Sequence, residues 1–214
     1  MAADPPFATD AATTPSPDRT WSYVAAFGAL WGSVEITLGA FLHVLHLPLA
    51  GVLLASLGAL LLVAARQVYP RRGTTLAIGV VAALCKSISP GGIILGPMLG
   101  IATEAALVEA ALLPAPRSRI TAVLAGTLCA LWSAFQKVIA QVVFYGSGVL
   151  GLYLAALVRA REWLALPRDT GWWALGALLL LIVLIGGTAG WVGRGVGAEA
   201  LRRLTLEGAT PHDG

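Results

Sequence analysis

Polar side chains capable of chemistry sit inside stretches that are otherwise hydrocarbon: the carboxylate of Glu35, the imidazoles of His43 and His46, the ammonium groups of Lys86 and Lys137, and the amides of Gln136 and Gln141. A charge in the middle of a bilayer costs at least about 2.5 kcal/mol, so such groups face protein, a partner charge or water. Together they can hydrogen-bond and charge-pair a small polar molecule. Trp132, one helical turn before Gln136, adds a flat apolar face on which a ring can stack. Two lysines and two histidines lean toward an anionic or hydrogen-bonding ligand.

Each of these residues also has a plainer role. Lys86, near a helix end, can snorkel to the interface, and Lys137 can neutralise Glu35 as a structural pair. His43 and His46 are three apart, but without a third ligand the pair defines no metal site. Glu104 and Glu109 are read as helix-packing contacts. Cys85 and Cys129 lie in apolar segments without the spacing of a zinc site or a disulfide framework.

The elements that position these groups are membrane helices. Of 214 residues, 57% are hydrophobic and 12% charged, and the mean hydropathy is +0.81, outside the range of ordinary soluble domains. The expected fold is all-α and polytopic, with about six spans: 21–44, 49–65, 73–85, 93–113, 120–144 and 172–192. Segment 149–166 is interrupted by Arg159, Arg161 and Glu162 and reads as an interfacial helix. Residues 1–20, rich in Ala, Pro, Thr and Asp, read as a disordered cytoplasmic tail. The membrane domain is placed at 21–196 and a C-terminal cytoplasmic tail at 197–214.

The net charge of +3 does not imply nucleic acid, because the arginines fall in short loops. Arg66, Arg71 and Arg72, then Arg117 and Arg119, then Arg194, Arg202 and Arg203 mark the cytoplasmic side and place both termini inside the inner membrane. That orientation brings His43, His46, Lys86, Gln136, Lys137 and Gln141 toward the outer level, with Glu35 somewhat deeper.

The first span also carries small residues four apart, Ala25 with Ala29 and Gly28 with Gly32, a spacing that lets a second helix approach closely. The segments ALWGSVEITLGAFLHVLHLPLAG and SPGGIILGPMLGIATEAALVEA, with this small-residue pattern, resemble the substrate-binding membrane subunits, or S components, of energy-coupling-factor transporters. The resemblance implies a vitamin-like or metal micronutrient as substrate, captured from outside. It also implies docking through Ala25, Ala29, Gly28 and Gly32 on a transmembrane coupling subunit that works with ATPase subunits.

The chain has no HExxH, GxSxG, DDxxD or Walker motif, so no enzyme activity or cofactor is expected of it and ATP hydrolysis is assigned to partners. The alternatives are a secondary transporter, an ion- or proton-coupled channel and a structural membrane subunit.

Overall fold

In the computed structural model, residues 17–45, 49–88, 95–146 and 170–208, with Gly148 and Gly151, are described. They form α1 (Pro17–Val44), α2 (Ala50–Val68), α3 (Thr74–Ser87), α4 (Leu95–Leu112), α5 (Arg119–Tyr145) and α6 (Thr170–Gly208). There is no strand among the described residues. Five of the helices are long and apolar enough to cross a membrane, whereas α3, at 14 residues, is shorter. At about 1.5 Å per residue α3 reaches roughly two thirds of a bilayer core. The protein is an all-α polytopic membrane protein.

Burial follows the logic of a bundle in lipid. The interior is built from Trp31, Leu62, Val63, Ile78, Val108 and Leu112, with Ala59, Ala82, Ala105, Ala122 and Ala125 where helices approach closely. Large apolar side chains such as Leu30, Leu84, Leu99, Leu124, Phe135 and Leu184 point outward. That arrangement suits lipid and is unfavourable in water. Helix α2 lies at the centre, touching α1, α3, α4, α5 and α6, while α1 and α6 occupy opposite flanks.

Small residues set the closest crossings. A β-carbon at Gly126 of α5 would fall 2.0 Å from the backbone oxygen of Gly186 on α6, and one at Gly190 would fall 2.0 Å from that of Ala122. With nothing larger than hydrogen there, the backbones pack directly and gain dispersion contact that lipid does not provide. Because Gly186 meets Gly126 and Gly190 meets Ala122, α6 runs antiparallel to α5. Tyr145 and Thr170 therefore face the same side.

The element ends differ from the sequence expectation in two places. Helix α1 starts at Pro17 rather than at 21, because proline suits a first helical turn, where its missing N–H has no partner to lose. Helix α6 continues to Gly208 rather than ending near 192. Glycines 193 and 197 look like breakers, but they seat α6 against Leu60 and Ala64 of α2. Beyond them Glu199 pairs with Arg202 and with Arg203, each at 2.9 Å, one turn along the helix. The segment expected as a C-terminal tail at 197–214 is thus helical as far as Gly208. Segment 149–166, apart from Gly151, lies outside the described residues, as does most of the expected N-terminal tail.

Candidate functional site: a buried polar centre between four helices

At one end of the bundle polar groups are tied to one another across the helices, although the buried Arg66 keeps Nε and Nη1 without a hydrogen-bond partner. Glu109 of α4 accepts from the backbone N–H of Gly73 at 2.7 Å and from that of Thr75 at 3.2 Å, and it also accepts from the Thr75 hydroxyl. A carboxylate on the first N–H groups of α3 caps that helix and complements its dipole. The same carboxylate meets the buried Arg66 guanidinium of α2 at 3.3 Å. Gln67 donates to Pro116 O at 2.6 Å, and Arg194 donates to Arg117 O at 3.0 Å. Thr20 and Tyr69 share a hydroxyl–hydroxyl bond, and Tyr23 stacks on Tyr69. This end is a clamp that ties α1 through α6 together.

Deeper in the bundle lies a second group of buried polar side chains. Glu35 of α1 and Glu104 of α4 are 8% and 6% exposed, and Glu104 lies close enough to Glu35 to feel it electrostatically. Lys86 of α3 is close enough to Glu35 to attract it, and its ammonium donates to the Glu35 backbone oxygen at 3.0 Å. The indole of Trp31, fully buried one turn before Glu35, directs Nε1 toward the Glu35 carboxylate without completing a hydrogen bond. Helix α5 supplies the opposite wall. Cys129 donates through Sγ to Glu104 O at 3.5 Å. The Gln136 amide fills the space at Gly100, where a β-carbon would fall 2.4 Å from its Nε2.

Four polar atoms of this region are buried without a hydrogen-bond partner: Trp31 Nε1, Glu104 Oε2, Trp132 Nε1 and Gln136 Oε1. An orphaned buried polar group costs about 1–3 kcal/mol, and native interiors hold few. Two donors and two acceptors left open on neighbouring helices describe a site that can bind a molecule with acceptors and donors of its own.

The sequence-predicted residues divide across this geometry. Glu35, Lys86, Trp132 and Gln136 belong to the centre. Lys137 does not pair with Glu35: it is exposed and runs along α2 at Gly51, where a β-carbon would fall 3.2 Å from its Cε. The ammonium that reaches Glu35 is that of Lys86, through the backbone oxygen, because α1 packs against α3. Gln141 is half-buried farther along α5. His43 lies in the last turn of α1, its side chain outside the description, and His46 lies outside the described residues. Among the described residues no three His, Cys, Asp or Glu side chains are grouped to hold a metal ion.

Sequence reasoning missed Trp31 and Glu104. Glu104, taken for a packing residue, was recognisable as the second carboxylate in a membrane helix, but only the α4–α5 contact brings it to the centre. Of the four docking candidates, Ala25 and Ala29 are exposed on the outer face of α1. Gly28 and Gly32 are buried against α3, where β-carbons would fall 2.5 Å from Val81 Cβ and 2.6 Å from Cys85 Cβ. That pair is used inside the fold.

Comparison of the chain with protein-family models, with curated proteins and with solved structures finds no match.

Proposed function

We propose that this protein is the substrate-capture membrane subunit of an ATP-driven micronutrient uptake system of the energy-coupling-factor type. The observation that carries the reading is the set of unpaired donors and acceptors at Trp31, Glu104, Trp132 and Gln136, buried in a membrane bundle beside Glu35 and Lys86. A packing subunit gains nothing from leaving such atoms open, whereas a binding subunit closes them with its ligand. The exposed Ala25 and Ala29 give α1 a smooth outer face for a transmembrane coupling subunit, in keeping with the resemblance in sequence. In this reading the arginine-rich end faces the cytoplasm, where ATPase subunits work, and both termini are on that side.

A second reading, a proton-coupled secondary transporter, is favoured by one observation. Glu35, Lys86 and Glu104 form a chain of titratable groups within the membrane interior. The two readings part on energy source. Reconstituted with its coupling and ATPase partners, a capture subunit supports uptake only with ATP. Alone in liposomes, a secondary transporter supports uptake driven by a proton gradient. Gradient-driven uptake by the isolated chain overturns the capture reading.

A further inference from the structure

The arginines at one end of the bundle differ in what they touch. Arg66 pairs with Glu109, while Arg202 and Arg203 share Glu199, the acidic residue nearest in the chain to Arg194. Arg117, Arg119 and Arg194 take part in no ion pair among the described residues. Arg117 and Arg119 are exposed. Arg194 is half-buried, and its Nε donates to Arg117 O at 3.0 Å. That bond fixes the guanidinium and leaves its two terminal nitrogens without an acceptor among the described residues.

These three arginines meet at one edge of the α5–α6 crossing. A β-carbon at Gly187 of α6 would fall 3.4 Å from side-chain atoms of both Val123 and Thr127 of α5, so these residues border the crossing. Arg119 stands four residues before Val123 on that face of α5, and Trp191 and Arg194 stand four and seven residues after Gly187 on the facing side of α6. Because the helices are antiparallel, Arg119 comes level with Trp191 and Arg194, and the bond from Arg194 to Arg117 O closes the same end. At about 1.5 Å per residue the 27 residues of α5 cover roughly 40 Å, the thickness of a bilayer with its headgroups, which puts Arg119 at headgroup level. Immediately inward, Ile120, Leu124 and Trp191 are exposed, as a lipid-facing surface is. Guanidinium groups bind phosphate through paired N–H bonds, and three of them without a carboxylate repel a headgroup that carries its own cation. We infer that this edge holds an anionic phospholipid of the adjoining leaflet, with its phosphate on Arg117, Arg119 and Arg194 and an acyl chain along Val123, Thr127 and Gly187. The occupant is a lipid because the guanidinium groups border hydrocarbon-facing side chains on both helices. The inference is independent of the capture reading.

The test offers the full chain, in detergent, an equimolar mixture of dioleoyl phosphatidylglycerol and dioleoyl phosphatidylcholine, which share acyl chains and differ in net charge. Native mass spectrometry then counts the lipids retained. One phosphatidylglycerol per chain is kept in preference to phosphatidylcholine by at least about tenfold, as several guanidinium groups at a headgroup require. Arg117→Gln with Arg119→Gln removes two exposed charges and brings the two lipids to parity without lowering the melting temperature. Arg202→Gln with Arg203→Gln, whose arginines are engaged by Glu199, leaves the preference unchanged. The wild-type competition carries the test even where a variant fails to fold. Equal retention of the two lipids overturns the inference, and so does a preference that survives in the Arg117 and Arg119 double variant. Displacement of the lipid by millimolar inorganic phosphate would make this a soluble-anion site, and displacement by a polyglutamate peptide would assign the arginines to an acidic protein partner. Either result overturns the lipid assignment.

Discussion

Two glutamates five residues apart on α4 have opposite surroundings. Glu109 is held by two backbone N–H groups, a hydroxyl and Arg66, whereas one oxygen of Glu104 has no partner. Glu109→Ala leaves the Arg66 guanidinium buried and unpaired, so it should destabilise the detergent-solubilised protein by about 3–5 kcal/mol. Glu104→Gln keeps the shape of the side chain and breaks no hydrogen bond at Oε2, so it should leave thermal melting nearly unchanged. A melting curve for each variant checks both, and a stable Glu109→Ala protein would show that the clamp is dispensable. Lys86 and Lys137 separate in the same way. Lys86→Met removes a charge-assisted bond worth about 1.5–3 kcal/mol, and adding Glu35→Gln should restore much of the loss. Lys137→Met should need no such rescue, since it touches α2 at Gly51 and not Glu35. A double-mutant cycle showing coupling of Lys137 to Glu35 would contradict this arrangement.

At the scale of elements, the helices were legible because long apolar runs between arginine loops have few other folds available in lipid. What the sequence could not rank was its small residues. Ala25 with Ala29 and Gly28 with Gly32 have identical spacing, and only the packing of α1 on α3 decides that the glycines face inward and the alanines outward. The same limit hid Glu104, since hydropathy shows that a carboxylate is in the membrane and not which neighbour it meets. Gly28→Val and Gly126→Val should each cost about 1–3 kcal/mol or more through forced separation of helices. Ala25→Trp with Ala29→Trp should leave the melting temperature of the isolated protein nearly unchanged while removing co-purification with a coupling subunit. Loss of folding in the double tryptophan variant would mean that this face is already occupied inside the molecule.

For the whole molecule, contacts at the clamp bring Thr20, Tyr69, Gly73, Glu109, Pro116 and Arg194 to one end. Among the described residues α6 runs antiparallel to α5. In a background lacking Cys85 and Cys129, cysteines at the exposed positions Arg72 and Arg119 should resist impermeant thiol reagents in intact cells, whereas cysteines at Leu45 and Ser87 should label. The reverse pattern would invert the molecule and move the arginine-rich end outside. The central claim is capture of a small molecule at the unpaired polar atoms of the bundle interior. Native mass spectrometry of the full chain released from its own membrane tests it most directly. The account predicts a bound small molecule at one per chain, lost when Trp132→Ala and Gln136→Ala are combined in a protein that still melts cooperatively. A chain that emerges ligand-free from substrate-replete membranes, or that keeps its ligand in the double variant, would contradict it.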